Sequence, residues 1–409
     1  MTSDYDCIIA GGGPAGMMTG LLLARAGCRV CVLEKHPDFF HDFRGDTIHP
    51  ATLALIDSLG WLDEFLALPH QKAAQLHAEI AGAQVTIADF SRLKTACPYI
   101  VFMPQWDFLD FLARKASALP GFELRMGHQI TGLLQSQGKV RGVSCLDAGG
   151  QPQEITAPLV IGADGRNSVV RQAAGLRTLD FGSPVDVLWF RLSRLPDDPA
   201  PAMSHAGPAQ GLVLIDRGDF WQCGYVIRKG SWQDVQENGL PALRAALAAL
   251  SPLPAARLDE LTDWSQLHLL SIRMDRLEKW WAPGVLCIGD AAHAMSPVGG
   301  FGVNLAIQDA VAAANILGTP LREGRLQPRD LARVQARRLF PTRATQGLQK
   351  MMRRKRKPDG QAAPRPPGFL RLIARWPFLS RWMGRLIGMG FRPEKLSAQL
   401  RNPLKAIGK

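Results

Sequence analysis

Apolar positions along the chain follow two rhythms, and the change from one to the other marks the predicted elements. Tyr5 to Ala10 reads as a short buried strand, Met17 to Ala26 as a helix without an interior breaker, and Arg29 to Leu33 as a second strand. Pro50 opens a predicted helix over Ala51 to Leu59. Leu76 to Ile80 and Gln84 to Ala88 predict a hairpin-like pair of strands in a second layer. Pro104-Gln105-Trp106-Asp107 leads into a helix over Phe108 to Ala118, with apolar residues at 108, 109, 111, 112 and 116 on one face. Leu124 to Leu134 and Val140 to Leu146 alternate like strands, and Gly149-Gly150-Gln151-Pro152 is a turn. Leu159 to Gly162 and Val285 to Ile288 are continuous apolar runs of the kind buried on both faces of a parallel sheet. Between them, Val185 to Leu192, Leu212 to Ile215, Phe220 to Ile227 and Leu267 to Ile272 predict a mixed sheet, with one Ala/Leu-rich helix over Leu240 to Leu250. A long helix is predicted from Val303 to about Leu317.

The first strand runs straight into Gly11-Gly12-Gly13-Pro14-Ala15-Gly16, and the second ends in Glu34-Lys35. Strand, G-x-G-x-x-G turn, helix, strand and acid at this spacing predict a dinucleotide site. Gly11 permits the tight turn, Gly13 lets the backbone approach a pyrophosphate, and Gly16 lets the helix pack closely. Pro14 and Ala15 open the helix, whose free N–H groups and partial positive charge suit phosphates. Glu34 is placed to accept hydrogen bonds from a ribose diol. The motif alone leaves FAD and NAD both open.

A chain of 409 residues with 46% hydrophobic and 21% charged residues has material for a large core and two or three subdomains. No early signal-like segment and no run of some 18 uncharged apolar residues is evident. Seven scattered cysteines fit a reducing cytoplasmic setting, and no Cys/His cluster has metal-ligand spacing. Cys28 and Cys31 form a C-x-x-C on a predicted strand, where residues three apart face opposite ways, so packed thiols are expected rather than a redox pair. The net charge of +12 is uneven. From Lys350 onward 16 Lys/Arg stand against Asp359 and Glu394, a surplus of 14 that leaves the rest of the chain near −2. The basic tail would suit nucleic acid, but no nucleic-acid module accompanies it, so no nucleic-acid partner is expected. Residues 350–390 combine a Lys/Arg run, a Pro-rich linker and a basic amphipathic stretch that Pro377 should divide into two helices. Peripheral membrane contact and packing on the body both remain open for it.

Two further glycine-bearing turns give the chain its family resemblance: Gly162-Ala163-Asp164-Gly165, and Gly289-Asp290 followed by Pro297, Gly299, Gly300 and Gly302. With Gly11 to Gly16 they match, in order and spacing, the three signatures of the FAD-dependent aromatic hydroxylases, the group of p-hydroxybenzoate and ubiquinone-biosynthesis hydroxylases. The chain resembles that family over about residues 1–345. The resemblance implies an α/β fold: a Rossmann-type FAD-binding domain with an inserted mixed β-sheet substrate domain and a C-terminal helical segment. The expected division is 1–75, 105–175 and 279–345 for the FAD-binding domain, 76–104 and 176–278 for the substrate domain, and 346–409 for the tail.

The resemblance also implies a site. Asp290 would meet the ribityl hydroxyls, and Pro297, Gly300 and Gly302 would let the backbone pass beside the isoalloxazine. The helix from Val303 and Asn304 would direct its dipole at that ring. Asp164 and Gly165 would lie near the pyrophosphate and an NAD(P)H groove, with Arg171 completing their motif, and Arg44 and Gln105 would contact FAD. Where the family often has two prolines, this chain has Ser296-Pro297. The implied activity is that of a monooxygenase: NAD(P)H reduces FAD, dioxygen gives a flavin C4a-hydroperoxide, and one oxygen atom passes to an aromatic, quinone-like or polyketide-like substrate. No catalytic base is legible: His293 is a candidate acid or base, although in this motif a His more often helps fix the loop, and His49 is a weaker candidate; the walls around Trp189 and Trp221 are expected to line the pocket. A flavin-dependent reductase or halogenase and a non-catalytic redox sensor are the competing readings, although the W-x-W-x-I-P of tryptophan-type halogenases is absent.

Overall fold

The computed structural model describes residues 3–40, 47–80, 83–198, 205–206, 211–297, 299–353 and 376–401. Its centre is a six-stranded sheet in the order Trp281–Ala282, Val285–Cys287, Leu159–Gly162, Cys7–Ala10, Val30–Leu33, Phe122–Arg125. All neighbours pair in parallel except the edge strand Trp281–Ala282. The strands from Cys7, Val30 and Leu159 are buried along their whole length because both faces are covered. Helices Pro14–Arg25, Gln105–Ser117 and Phe301–Arg322 pack together on one side. A three-stranded antiparallel sheet of Gln129–Ser136, Lys139–Leu146 and Pro152–Thr156 covers the other. The run expected as one strand from Leu124 is therefore two strands in different sheets, divided where Gly127 takes a positive φ of 72°.

The second layer is a seven-stranded mixed sheet ordered His268–Leu270, Val185–Ser193, Phe220–Arg228, Gly211–Asp216, His205–Ala206, Gln75–Ile80, Ala83–Asp89. One face buries Leu188, Phe190, Leu212, Leu214, Trp221, Cys223 and Tyr225 against Leu243 and Leu247 of helix Gly239–Ala248. The other carries Ile215 towards a cluster that joins the two layers: Leu76, Phe90, Ile100, Phe102, Met295, Phe301 and Leu305. Helix Phe301–Arg322 is long and apolar enough to cross a membrane, but 78% of its apolar window is buried inside the protein, as befits a core helix.

Helix Pro377–Met389 docks on strand Ala83–Asp89. Gly384 makes the close approach possible, since a Cβ there would stand 2.0 Å from the Asp89 carbonyl oxygen. Met383, Leu386 and Ile387 complete the cluster that joins the layers. The opposite side of this segment leaves Trp376, Phe378 and Trp382 at least half exposed (50%, 59% and 58%). The basic segment 354–375 lies outside the described residues.

Candidate flavin site

Register brings the three signatures together. Ala10 pairs with Gly162, and Gly162 with Cys287, so the turns that follow leave the sheet side by side at its carboxyl edge. Gly11, at φ 98°, lies so close to the second turn that a Cβ would stand 2.6 Å from the Ala163 carbonyl oxygen. Gly289, at φ 58°, lies against Ala15 and Ala306, with a Cβ 3.1 Å from the Ala15 methyl. Gly16 is the tightest, because its Cβ would fall 1.9 Å from the Gly11 carbonyl oxygen.

Within this arrangement several polar side chains brace the loops from inside. Glu34 is buried; its carboxylate accepts the Gly12 N–H (2.7 Å) and the His36 N–H (3.0 Å). Asp164 accepts the Ser168 hydroxyl (2.5 Å) and the Val170 N–H (3.1 Å), and burial pushes its carboxyl above the usual range against those bonds. Arg171 is buried and donates to the Arg166 carbonyl (2.5 Å) and the Ala291 carbonyl (3.4 Å), which ties the second turn to the third. Asn304 uses both ends of its amide. Its oxygen accepts the His49 N–H (3.1 Å) and the Thr52 hydroxyl (2.8 Å), while its nitrogen donates to the Gly300 carbonyl (3.1 Å).

The remaining residues of the three signatures differ in exposure. Asp290 sits in the short turn Gly289–Ala291 with its side chain about a third exposed, 3.5 Å from an Arg166 nitrogen. Arg166 was not singled out from the sequence, although its place between Asp164 and Arg171 was the available signal. Gly300, at φ 63°, caps helix Phe301–Arg322 and donates its N–H to the Pro297 carbonyl (3.0 Å). Pro297 and Lys35 are exposed, Val303 is half-buried, and Gln105 is buried at the first position of its helix. Arg44 lies outside the described residues.

The two histidines are buried rather than displayed. His293 Nε2 faces Asp309 at 2.6 Å, and its ring lies 4.9 Å from that of Trp280. His49 Nδ1 donates to the Ile387 carbonyl (2.9 Å), and burial, only partly offset by that bond, pushes the imidazole down to about 4. The indoles expected as pocket walls also separate. Trp189 pairs across the strands with Gly224 and so shares the face that carries Ile215, whereas Trp221 points to the far side and donates to Asp198 (2.8 Å). Trp221 is a core residue and is removed from the wall.

A dinucleotide fits this cradle. A Cβ added at Gly13 or Gly302 meets no atom within 4 Å, so both glycines border open space. Helices Pro14–Arg25 and Phe301–Arg322 begin there with no side-chain cap, leaving backbone N–H groups for an anionic ligand.

The comparisons with known proteins agree. The family model described as "FAD binding domain" matches residues 4–347. The 6-methylpretetramide 4-monooxygenase of Streptomyces rimosus is 33% identical over 378 residues, 91% of this chain and 89% of that one. The para-nitrophenol 4-monooxygenase of a Pseudomonas strain is 27% identical over 78% of each chain. Against several other relatives, such as a Streptomyces rimosus anhydrotetracycline monooxygenase, the match spans 75% of this chain but about three fifths (61%) of the relative. Among solved structures, the anhydrotetracycline hydroxylase of Streptomyces rimosus aligns with a TM-score of 0.75 at 27% identity, covering 94% of this chain and 76% of that one. The p-nitrophenol 4-monooxygenase of Pseudomonas putida shares the fold, with a TM-score of 0.79 at 22% identity over 94% and 97% of the two chains. This chain belongs to the FAD-binding-domain family of flavoproteins, and it is a flavin-dependent monooxygenase acting on a small molecule.

Proposed function

We propose that the protein uses NAD(P)H and dioxygen to hydroxylate an aromatic, quinone-like or polyketide-like substrate. The observation that carries this reading is the packing of Phe301, between the glycines of the third signature, in one cluster with Leu76 and Ile215 of the seven-stranded sheet. Bound FAD supplies the redox chemistry and the activation of dioxygen. The chain's residues hold and enclose it. The N–H groups at Gly13 and the helix that follows meet the pyrophosphate. Asp290 would accept the ribityl hydroxyls, and the N-terminus of helix Phe301–Arg322 would favour negative charge on the ring system. The substrate lies between the Gly299–Gly302 loop and the sheet face bearing Val213, Ile215, Gly224 and Trp189. Gly224 makes room for the Trp189 ring, which would lie 3.1 Å from a Cβ at that position. The Trp189 indole N–H is buried without a hydrogen-bond partner among the described residues, so it is available to a substrate oxygen.

The chain divides in this reading into FAD-binding parts 1–75, 105–175 and 279–345, substrate-domain parts 76–104 and 176–278, and the tail 346–409. All seven cysteines are free buried thiols, which supports a cytoplasmic setting. Peripheral membrane contact through residues 350–390 is part of the proposal. Trp376, Phe378, Trp382, Arg381 and Arg385 are exposed on the docked helix, a basic aromatic face suited to anionic headgroups. Flotation with anionic liposomes tests it: Phe378→Asp/Trp382→Asp should leave the lipid fraction, and recovery equal to wild type overturns the contact.

The test of the activity is a flavin spectrum followed by NAD(P)H oxidation and oxygen uptake with phenols, quinolones and polyketide-like aromatics. Substrate-dependent consumption of both co-substrates with a hydroxylated product is expected. Reductant oxidised without oxygen uptake identifies a reductase, and flavin binding without any NAD(P)H oxidation identifies a sensor. Asp290→Ala should lose flavin, and retained affinity overturns the ribityl contact.

A further inference from the structure

Asp309 is fully buried on helix Phe301–Arg322, the helix that follows the glycines of the third signature. One of its carboxylate oxygens accepts the Gly289 N–H (3.1 Å) and faces His293 Nε2 (2.6 Å). A single oxygen therefore holds both ends of the loop that displays Asp290. The loop is closed between them by the His293 N–H, which donates to the Gly289 carbonyl (2.8 Å). The second oxygen accepts Arg338 Nε (2.9 Å) from helix Pro328–Arg353. Burial would raise the Asp309 carboxyl, but His293 and Arg338 outweigh it and hold the group below the usual carboxylate range.

The chain of contacts continues away from the cofactor. Arg338 is 1% exposed and donates a second time, to Glu394 (3.2 Å), which also accepts Arg337 Nε (2.7 Å). The Glu394 backbone N–H donates to Gln308, the neighbour of Asp309. Glu394 lies in the docked C-terminal segment, beyond residue 347 where the family match ends. The same segment reaches the other side of the flavin loop, where the Ile387 carbonyl accepts His49 Nδ1–H (2.9 Å) and the His49 N–H donates to Asn304 (3.1 Å). Two carboxylates and two guanidiniums balance in charge, and three of the four, Asp309, Arg338 and Glu394, are buried (0%, 1% and 8% exposed). Buried ionic groups of this kind hold one geometry because the loss of any partner leaves another unpaired.

We propose that Glu394 and Arg338 are positioning residues for FAD, acting through Asp309 on the loop from Gly289 to His293, so that the C-terminal segment completes the cofactor site. Neither residue touches the cofactor; both set the direction in which Asp290 is presented. This positioning role rests on the FAD site already described, and the experiment keeps the two apart.

Apoprotein of wild type, Glu394→Gln, Arg338→Lys and Arg338→Met is titrated with FAD by fluorescence quenching, and the melting temperature of each apoprotein is measured separately. Glu394→Gln takes the negative charge from the acceptor of both Arg338 and Arg337, and FAD affinity should fall about ten-fold. Arg338→Met should lose more, and Arg338→Lys should recover part of the loss. Arg337→Gln touches Glu394 but not Asp309 and should stay within about two-fold of wild type. The decisive readout is coupling: in an Asp309→Asn background, Glu394→Gln should change FAD affinity little further. Wild-type affinity in Glu394→Gln and Arg338→Lys overturns the proposal, even if Arg338→Met fails to fold. So does an equal loss from Glu394→Gln with and without Asp309→Asn. Wild-type protein that binds no FAD would instead refute the site itself.

Discussion

Gly302 offers a perturbation whose effects on the protein and on the cofactor should have opposite signs. It is the second residue of helix Phe301–Arg322, its φ is not in the left-handed region, and a Cβ placed on it meets no protein atom within 4 Å. For the protein alone, Gly302→Ala is therefore a helix substitution without a clash. Replacing glycine by alanine in a helix stabilises by up to about 1 kcal/mol. For a cooperative chain of this length that corresponds to a rise of roughly 1 °C in the apoprotein melting temperature. The bound state reverses the balance. If the isoalloxazine passes over Gly302, the added methyl takes its space, and overpacking against a rigid ring destabilises by about 1–3 kcal/mol, or roughly 5- to 150-fold in FAD affinity. Differential scanning of the apoprotein and FAD titration by fluorescence quenching read the two effects independently. A variant at least as stable as wild type that binds FAD with unchanged affinity would show that the open space above Gly302 is not where the flavin lies. A destabilised apoprotein would show that the space is not open.

Gly16→Ala should behave differently, because the Cβ falls 1.9 Å from the Gly11 carbonyl oxygen and backbone cannot yield as a side chain can. A loss of at least about 3 kcal/mol in apoprotein stability is expected by urea denaturation, and a normal unfolding midpoint would contradict the tight turn. His49 should impose a pH dependence on stability. Burial lowers its pKa from 6.5 to about 4, so the unfolded chain binds the proton first. The contribution is complete above pH 6.5 and is lost as pH falls towards 4. The loss at pH 4.5 is on the order of 2–3 kcal/mol. His49→Gln should flatten that slope whatever its stability at pH 7, and an equally steep slope would remove His49 as the cause. Trp189→Phe deletes the N–H and replaces the indole with a smaller aromatic ring, so it should raise KM at least about ten-fold for substrates bearing a phenolic or carbonyl oxygen while leaving FAD affinity unchanged. Unchanged KM would place the substrate elsewhere on the sheet.

What the sequence disclosed and what it withheld differ in physical scale. The strands at Cys7, Leu159 and Val285 are readable because continuous apolar runs followed by glycine turns have few other solutions, and the strand at Val30 because it ends in the acid Glu34 at the expected distance from the first turn; their shared register follows from pairing in one parallel sheet. Gly127 lies inside an alternating run, and alternation alone cannot show which sheet a strand joins. The indoles at 189 and 221 looked equivalent because the face a side chain takes depends on register between strands, which local pattern does not contain. For the tail, packing accounts for one side of helix Pro377–Met389 only. Met383, Leu386 and Ile387 are buried on the body while Phe378 and Trp382 of the same helix face solvent, so the helix serves one surface and presents another. The sequence was least informative about what braces the cofactor loops. Asp309, Arg338 and Glu394 are separated by 29 and 56 residues, and no spacing rule connects them. Their link exists only because helix Pro328–Arg353 crosses between the flavin helix and the docked C-terminus. Glycines that approach a ligand must be coded where the ligand passes. The charges that hold those glycines in place can be coded anywhere that the fold brings within hydrogen-bond reach, and in this chain one of them lies past the end of the recognised domain.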